Sequence, residues 1–191
     1  MPIQDYPHPA LTADVVLFAV EEGCLQVLLI RRDGPPFEGH WAFPGGFVDV
    51  GEPPRDAAQR ELEEETGIRD VSLRQLRTFG NPGRDPRGHT VSVAYLGVMT
   101  KDPPPRAEAG SDAAEAQWWS VERLPPLAFD HTDILACALQ RLSSEVAGVP
   151  VTSDVLPNNL TLGELRALRD SLARGADKRH APIGSDKNRC R

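Results

Sequence analysis

The sequence predicts an α/β fold, a sandwich in which helices cover a mixed sheet, and three observations carry that expectation. Short apolar or alternating runs bounded by turn residues recur between residues 14 and 120, the pattern of strands. Two longer stretches, 53–66 and 129–144, have helical composition and helical punctuation. Strands thus flank two principal helices, which implies the sandwich.

Residues 1–10, with Pro2, Pro7 and Pro9, read as an extended arm. Strands are expected at 14–20 and 25–32, with Glu21-Glu22-Gly23-Cys24 turning between them. After a loop at 33–40, residues 41–50 lead by strand and turn into the first helix. Proline stands just inside its start and Gly67 just past its end. A strand at 71–79, a Gly/Pro-rich loop at 80–88 and an alternating strand at 89–99 follow. A Pro-rich loop, 101–112, then precedes a short strand at 117–120. In the second helix Asp130 is the expected cap, and Ile134, Leu135, Ala138 and Leu142 share its apolar face.

Residues 1–147 therefore form one domain with an N-terminal arm, and 148–191 an extension. Within the extension a linker precedes an amphipathic helix, with Thr161 and Glu164 as a capping box ahead of Leu165, Leu168 and Leu172. That helix has to dock on the domain, pair with a second chain or stay partly mobile. The polar, basic end is expected to be disordered.

At 191 residues the chain suits one well-buried domain plus a tail. Its net charge of −7 argues against general nucleic-acid binding, which needs a basic footprint. A nucleotide remains admissible, because metal ions and a few arginines neutralise phosphates locally. Cys24, Cys137 and Cys190 show neither zinc-ligand nor CxxC spacing, so reduced thiols in a cytoplasmic protein are expected. The apolar run 15–20 ends at Glu21 and Glu22, which excludes a signal peptide or membrane span there.

Residues 46–68 carry most of the functional information: GFVDVGEPPRDAAQRELEEETGI. On the predicted helix Glu61, Glu64 and Glu65 stand at i, i+3 and i+4, so three carboxylates share one face. Like charges at i, i+4 cost an isolated helix about 0.2–0.5 kcal/mol a pair, a penalty that a divalent cation would offset. Hard oxygen ligands of this kind suit magnesium or manganese in phosphoryl-transfer sites. Without the surrounding fixed positions, a solvated acidic face would be the better reading.

Those fixed positions are present. Gly46, Glu52, Arg60, Glu61, Leu62, Glu64, Glu65, Gly67 and Ile68 fill the pattern of a Nudix box, and the chain resembles the Nudix hydrolases. The resemblance implies the Nudix-type α/β/α sandwich and metal-dependent cleavage of nucleoside diphosphates linked to a further group. It implies Glu61, Glu64 and Glu65 as carboxylates facing Mg2+ (or Mn2+), with the Gly45 carbonyl as a backbone ligand. Glu61 is either a ligand or the base. Glu52 and Arg60 are expected to orient the helix as a charged pair, and Gly46 and Gly67 to permit its flanking turns.

Many members of this family take a further carboxylate from a distant loop, for which Glu115 and Asp112 are the candidates. The mutator-type members carry an acid where this chain has Gln117, a departure from them. The loop 82–89, with Arg84 and Arg87, and the segment 127–131 resemble the ADP-ribose pyrophosphatase branch. Two arginines on a rigid loop can grip a diphosphate or ribose, or else pair with Asp85 on a surface turn. Arg31 and Arg32, ending a strand, approach phosphate in this reading. Trp41 stacks on adenine or packs, and Phe43 packs.

The expected reaction is hydrolysis of ADP-ribose to AMP and ribose 5-phosphate. NADH, dinucleoside polyphosphates and oxidised nucleoside triphosphates are the other substrates weighed. The different functional class is an ADP-ribose-sensing transcriptional regulator, since 156–179 resembles the start of the winged-helix appendage of Nudix-related regulators. An intact box and the acidic charge favour the enzyme, with a small nucleotide as its partner, no membrane, and a homodimer as a family option.

Overall fold

The computed structural model describes residues 8–99, 104–110, 113–147, 166, 168–170, 172 and 173. The elements in chain order are β1 (Ala10–Glu21), β2 (Cys24–Arg32), β3 (Trp41–Ala42), β4 (Gly45–Phe47), α1 (Pro54–Thr66), β5 (Arg74–Phe79), β6 (Thr90–Met99), β7 (Ala113–Ser120) and α2 (His131–Val146). The sheet is mixed: β1 and β6 run parallel, and the other pairings are antiparallel. Its main path is β3-β2-β1-β6-β5, with β4 on β1 and β7 on β2.

Side-chain alternation along the central strands sorts the core into two layers. Val16 and Phe18 of β1, Leu25, Val27 and Leu29 of β2, and Ala94, Leu96 and Val98 of β6 pack with Ile134, Leu135, Ala138 and Leu142 of α2. The alternate residues Val15, Leu17, Leu28 and Tyr95 pack with Ala57, Ala58 and Leu62 of α1. Both faces of the central strands are covered, which explains their continuous apolar runs.

One irregularity in the sheet creates the site. β1 and β2 pair only from Phe18↔Val27 to Glu21↔Cys24. Beyond that they part, and residues 41–47 wedge between them: β3 pairs with β2 at Ile30 and Arg31, and β4 pairs with β1 at Thr12–Asp14. The Val15 N–H donates to the Pro44 carbonyl at 2.8 Å and seals the wedge. A cleft lined from both strands lies over this split.

Several expectations change. β1 and β7 are longer than the sequence indicated, reaching back to Ala10 and Ala113, because sheet pairing overrides weak local patterning. Asp130 sits at the N-cap of α2 but makes no side-chain cap bond; its carboxylate is taken by Arg84. Cys24 is in a disulfide, against the expectation of reduced thiols, while Cys137 is free. Sequence spacing does not limit which thiols a fold brings together.

Of the three fates open to the C-terminal helix, docking is the one seen. Leu168 and Leu172 are buried against the α2-side core. The capping pair Thr161 and Glu164, Leu165, most of the N-terminal arm and Asp112 lie outside the described residues. Among the described residues no helix is long and apolar enough to cross a membrane.

Candidate active site

The acidic helix is the first wall. α1 buries Ala57, Ala58 and Leu62 against the sheet. It ends at Gly67, whose positive φ of 71° lets its N–H reach the Glu63 carbonyl, a turn that favours glycine. Glu65 is buried on the same, sheet-facing side of the helix and Glu61 stands beside it, and Arg60 organises the carboxylates. Its guanidinium grips Glu52 through two bonds of 2.9 and 3.0 Å, and reaches Glu61 at 2.7 Å, Glu64 at 3.1 Å and the Phe47 carbonyl at 3.1 Å. Hydrogen bonding to Glu52 and Glu61 raises the Arg60 pKa further above its ordinary value, and Arg60 in turn holds Glu52 below the carboxylate range.

The turn into α1 meets these carboxylates closely. The Gly45 N–H donates to Glu65 Oε2 at 2.8 Å. At Gly46 a Cβ would collide with the Glu61 carboxylate, so glycine is required there by close approach. Glu61 and Glu65 line a cavity of about 560 Å³ together with Gly45 and Gly46, whereas Glu64, half-exposed, is turned towards Arg60 outside that lining. Glu61, Glu65 and nearby backbone form a hard-oxygen set that fits a divalent cation. Among the described residues no three acidic, His or Cys side chains are gathered closely enough to chelate an ion as they stand. Arg60 bonds Glu61 Oε1, and the Gly45 N–H bonds Glu65 Oε2.

The facing wall is cationic and aromatic. Arg32 donates to the carbonyls of Pro36 at 2.8 Å and Gly34 at 3.5 Å, and lies 5.0 Å from the Phe129 ring centre. Burial, reinforced by the nearby Arg87 charge, lowers its pKa from the usual arginine value. Arg84 is buried and donates to both Asp130 oxygens at 2.9 and 2.6 Å. Arg87 is half-exposed, held by Asp85 at 2.7 Å, and lies between the rings of Phe47 (5.2 Å) and Phe129 (5.8 Å). Phe129 has φ +52°, a left-handed conformation disfavoured for a bulky residue. β3 imposes this path: the Ala128 N–H donates to the Trp41 carbonyl at 2.8 Å, pulling 127–131 against the wedge.

The floor is polar. Asp14 accepts a short hydrogen bond from the Ser92 hydroxyl. His131 is buried, stacked on Phe43, and its Nδ1 accepts the Phe43 N–H at 3.0 Å, which puts the proton of the neutral ring on Nε2. Burial pushes the His131 pKa down; Asp14 opposes this and Arg84 adds to it.

The structure thus gathers Gly45, Gly46, Arg60, Glu61, Glu65, Arg84 and Arg87 around one cavity. It places three of the expected residues elsewhere. Arg31 lies next to Arg32 on β2, so its side chain leaves the opposite face, 4.0 Å from Glu115. Of the two strand-end arginines, Arg32 is the one that lines the cavity. Glu115, its neighbour across the β2–β7 pairing, lines a separate groove with Arg106, Glu108 and Trp118. Trp41 packs edge-on against Trp119 at 5.1 Å, in the α2-side layer. Among the cavity residues Asp14 was not singled out from sequence, and Phe129 and His131 entered only as members of the segment 127–131. Asp14 had one legible signal, a lone acid in an apolar strand.

Comparison with known proteins agrees with this geometry. The NUDIX domain family model matches residues 8–142, and the chain belongs to the Nudix hydrolase family. It is 40% identical over 131 residues to an ADP-ribose pyrophosphatase of Methanocaldococcus jannaschii, covering 68% of this chain and 73% of that protein. It is 37% identical over 166 residues to the ADPR responsive transcriptional repressor NtrR of Acinetobacter baylyi, covering 85% of this chain but 66% of the repressor. The NUDIX domain of Shewanella oneidensis NrtR, solved with ADP ribose, superposes with a TM-score of 0.69 at 33% identity, covering 74% of this chain and 94% of that one.

Proposed function

We propose that this protein hydrolyses ADP-ribose, with water, to AMP and ribose 5-phosphate. One observation carries the reading: a single cavity sets Glu61 and Glu65 opposite Arg32 and Arg87, with Phe129 beside them. A diphosphate carries enough charge to bridge such walls, and the aromatic rim suits a nucleobase. Glu61, Glu65 and the Gly45 carbonyl would hold Mg2+ or Mn2+, with Glu64 joining if it leaves Arg60. The bound ion would neutralise the diphosphate and lower the pKa of an attacking water.

The chain's own groups do the rest. Arg32 and Arg87 position the diphosphate through donors that carboxylates do not fully occupy. Arg84, locked to Asp130, anchors the loop that presents Arg87. Glu61, which Arg60 holds through Oε1, is the acceptor we assign to the proton. Arg60 fixes the helix to the turn at Phe47, so the carboxylates and the Gly45–Gly46 backbone keep their spacing.

The test is a substrate panel of ADP-ribose, NADH, dinucleoside polyphosphates and oxidised nucleoside triphosphates, with magnesium and with manganese, read as AMP and orthophosphate released. ADP-ribose is expected to have the highest kcat/KM; a clear preference for a triphosphate would overturn the substrate while leaving the diphosphate chemistry. A second reading, an ADP-ribose-responsive regulator, is favoured by one observation: the match to the repressor runs over 85% of this chain, further than that to the pyrophosphatase. ADP-ribose-sensitive binding to a specific DNA sequence, without turnover, would establish it instead.

A further inference from the structure

We infer that Asp14 and His131 form a subsite for the hydroxyls of the sugar attached to the diphosphate, and so select sugar-linked substrates. The inference rests on the nucleoside-diphosphate reading of the cavity and adds to it the group that recognises the distal half of the ligand. His131 Nε2 stands 3.8 Å from Asp14 Oδ1. That gap is too long for a direct hydrogen bond, and a hydroxyl lying beside the pair, about 2.9 Å from each, can accept from Nε2–H and donate to the carboxylate.

Each partner is fixed in its role. The Phe43 N–H occupies Nδ1, so Nε2 is the donor. Asp14 Oδ2 is occupied by Ser92, and Arg84 approaches that same oxygen no closer than 3.9 Å, which leaves Oδ1 as the acceptor. Both residues line the cavity. Thr12, two residues earlier on the same face of β1, also lines it, and its buried hydroxyl has no hydrogen-bond partner. Buried polar groups that the protein itself leaves incompletely paired are the usual means by which a site rejects ligands lacking the matching hydroxyl.

The location suits a group bonded to the reacting diphosphate. Asp14 pairs in register with Gly45, whose N–H is bonded to Glu65. A sugar on the distal phosphate therefore reaches Asp14 within one residue of the acidic wall.

The test uses the full chain and two ligands, ADP-ribose and a P2-alkyl ester of ADP that has no distal hydroxyls. Affinity is read as Kd by calorimetry, and as KM wherever products appear. In Asp14→Asn the amide keeps an acceptor for Ser92 but removes the carboxylate from the hydroxyl. In His131→Asn the side-chain oxygen keeps an acceptor for the Phe43 N–H while the Nε2 donor is gone. Wild type is expected to prefer ADP-ribose, and each variant to reduce that preference at least tenfold. An unchanged preference in folded variants would overturn the subsite alone. No binding of either ligand to the wild type would overturn the nucleoside-diphosphate reading as well.

Discussion

Replacing Arg84 with methionine separates two roles, gripping ligand and anchoring a loop. The Arg84 side chain is 4% exposed, bonded twice to Asp130 and 3.9 Å from Asp14. Methionine keeps part of the stem but leaves two largely buried carboxylates without their cation. Breaking a buried pair by removing one partner costs about 3–5 kcal/mol, since the surviving charge stays desolvated. Asp130 recovers part of this, because once released its carboxylate is free to cap α2, a contribution of about 1 kcal/mol. The net loss of about 2–4 kcal/mol corresponds to a fall in Tm of about 4–16 °C for a chain of this size. Calorimetry at pH 7 measures it. Arg84→Met/Asp130→Leu should recover much of the loss, because an apolar replacement for the whole pair carries no stranded charge. A near-wild-type Tm in Arg84→Met, with ADP-ribose affinity abolished, would refute the anchoring role and restore Arg84 as a direct ligand.

Three further outcomes are expected. Glu65→Gln should keep the fold and the helix but reduce turnover by more than the ~10–100-fold typical of residues that only support a metal ligand; near-wild-type kcat in a folded variant would remove α1 as the metal-facing element. His131 is neutral in the fold and its pKa is lowered by burial, with Asp14 opposing and Arg84, Asp130 and Arg32 also acting on it. The unfolded chain therefore binds the proton first, so this contribution is present above about pH 6.5 and is lost as pH falls through the folded pKa, by about 1.4 kcal/mol per pH unit between the two. Urea titrations across that window should show the slope in wild type and a flatter one in His131→Asn. A chain ending at Ala147 should keep metal-dependent turnover but lose up to about 3–6 kcal/mol from the burial of Leu168 and Leu172; complete inactivity in a folded truncation would tie the C-terminal helix to the site.

The acidic helix was legible because its function needs fixed residue types at fixed helical offsets, and both its ends are marked, by proline and by Gly67. The strands were legible in number but not in extent. Ala113 and Ala10 lie in segments whose pairing depends on distant partners. The cationic wall was legible as a loop but not by role: Arg84 and Arg87 look alike in sequence, and only the arrival of Asp130 from the next helix makes one an anchor. Arg31 and Arg32 were read together and could not be told apart, for a different reason. A strand covered on both faces gives no apolar–polar alternation to show which of two adjacent arginines faces the cleft. His131 was unreadable because its meaning comes from a single bond to the Phe43 N–H, which exists only where the sheet splits.

The Arg60 network leads to an expectation about metal removal. An acidic face on α1 opposes folding, and Arg60 offsets it through Glu52, Glu61 and Glu64. The fold should therefore persist in chelator, unlike small domains whose folding depends on a structural ion. Magnesium should add only its binding linkage, about 2.7 kcal/mol at a hundredfold excess over Kd, or about 5–11 °C in Tm. In Arg60→Gln the face loses its internal cation, so the difference in Tm between chelator and magnesium should widen. Two results would contradict this: wild type unfolding in chelator, or Arg60→Gln showing the same metal dependence as wild type. The first would make the ion part of the fold. The second would mean that Arg60 holds the turn at Phe47 in place without relieving the charge on Glu61 and Glu64.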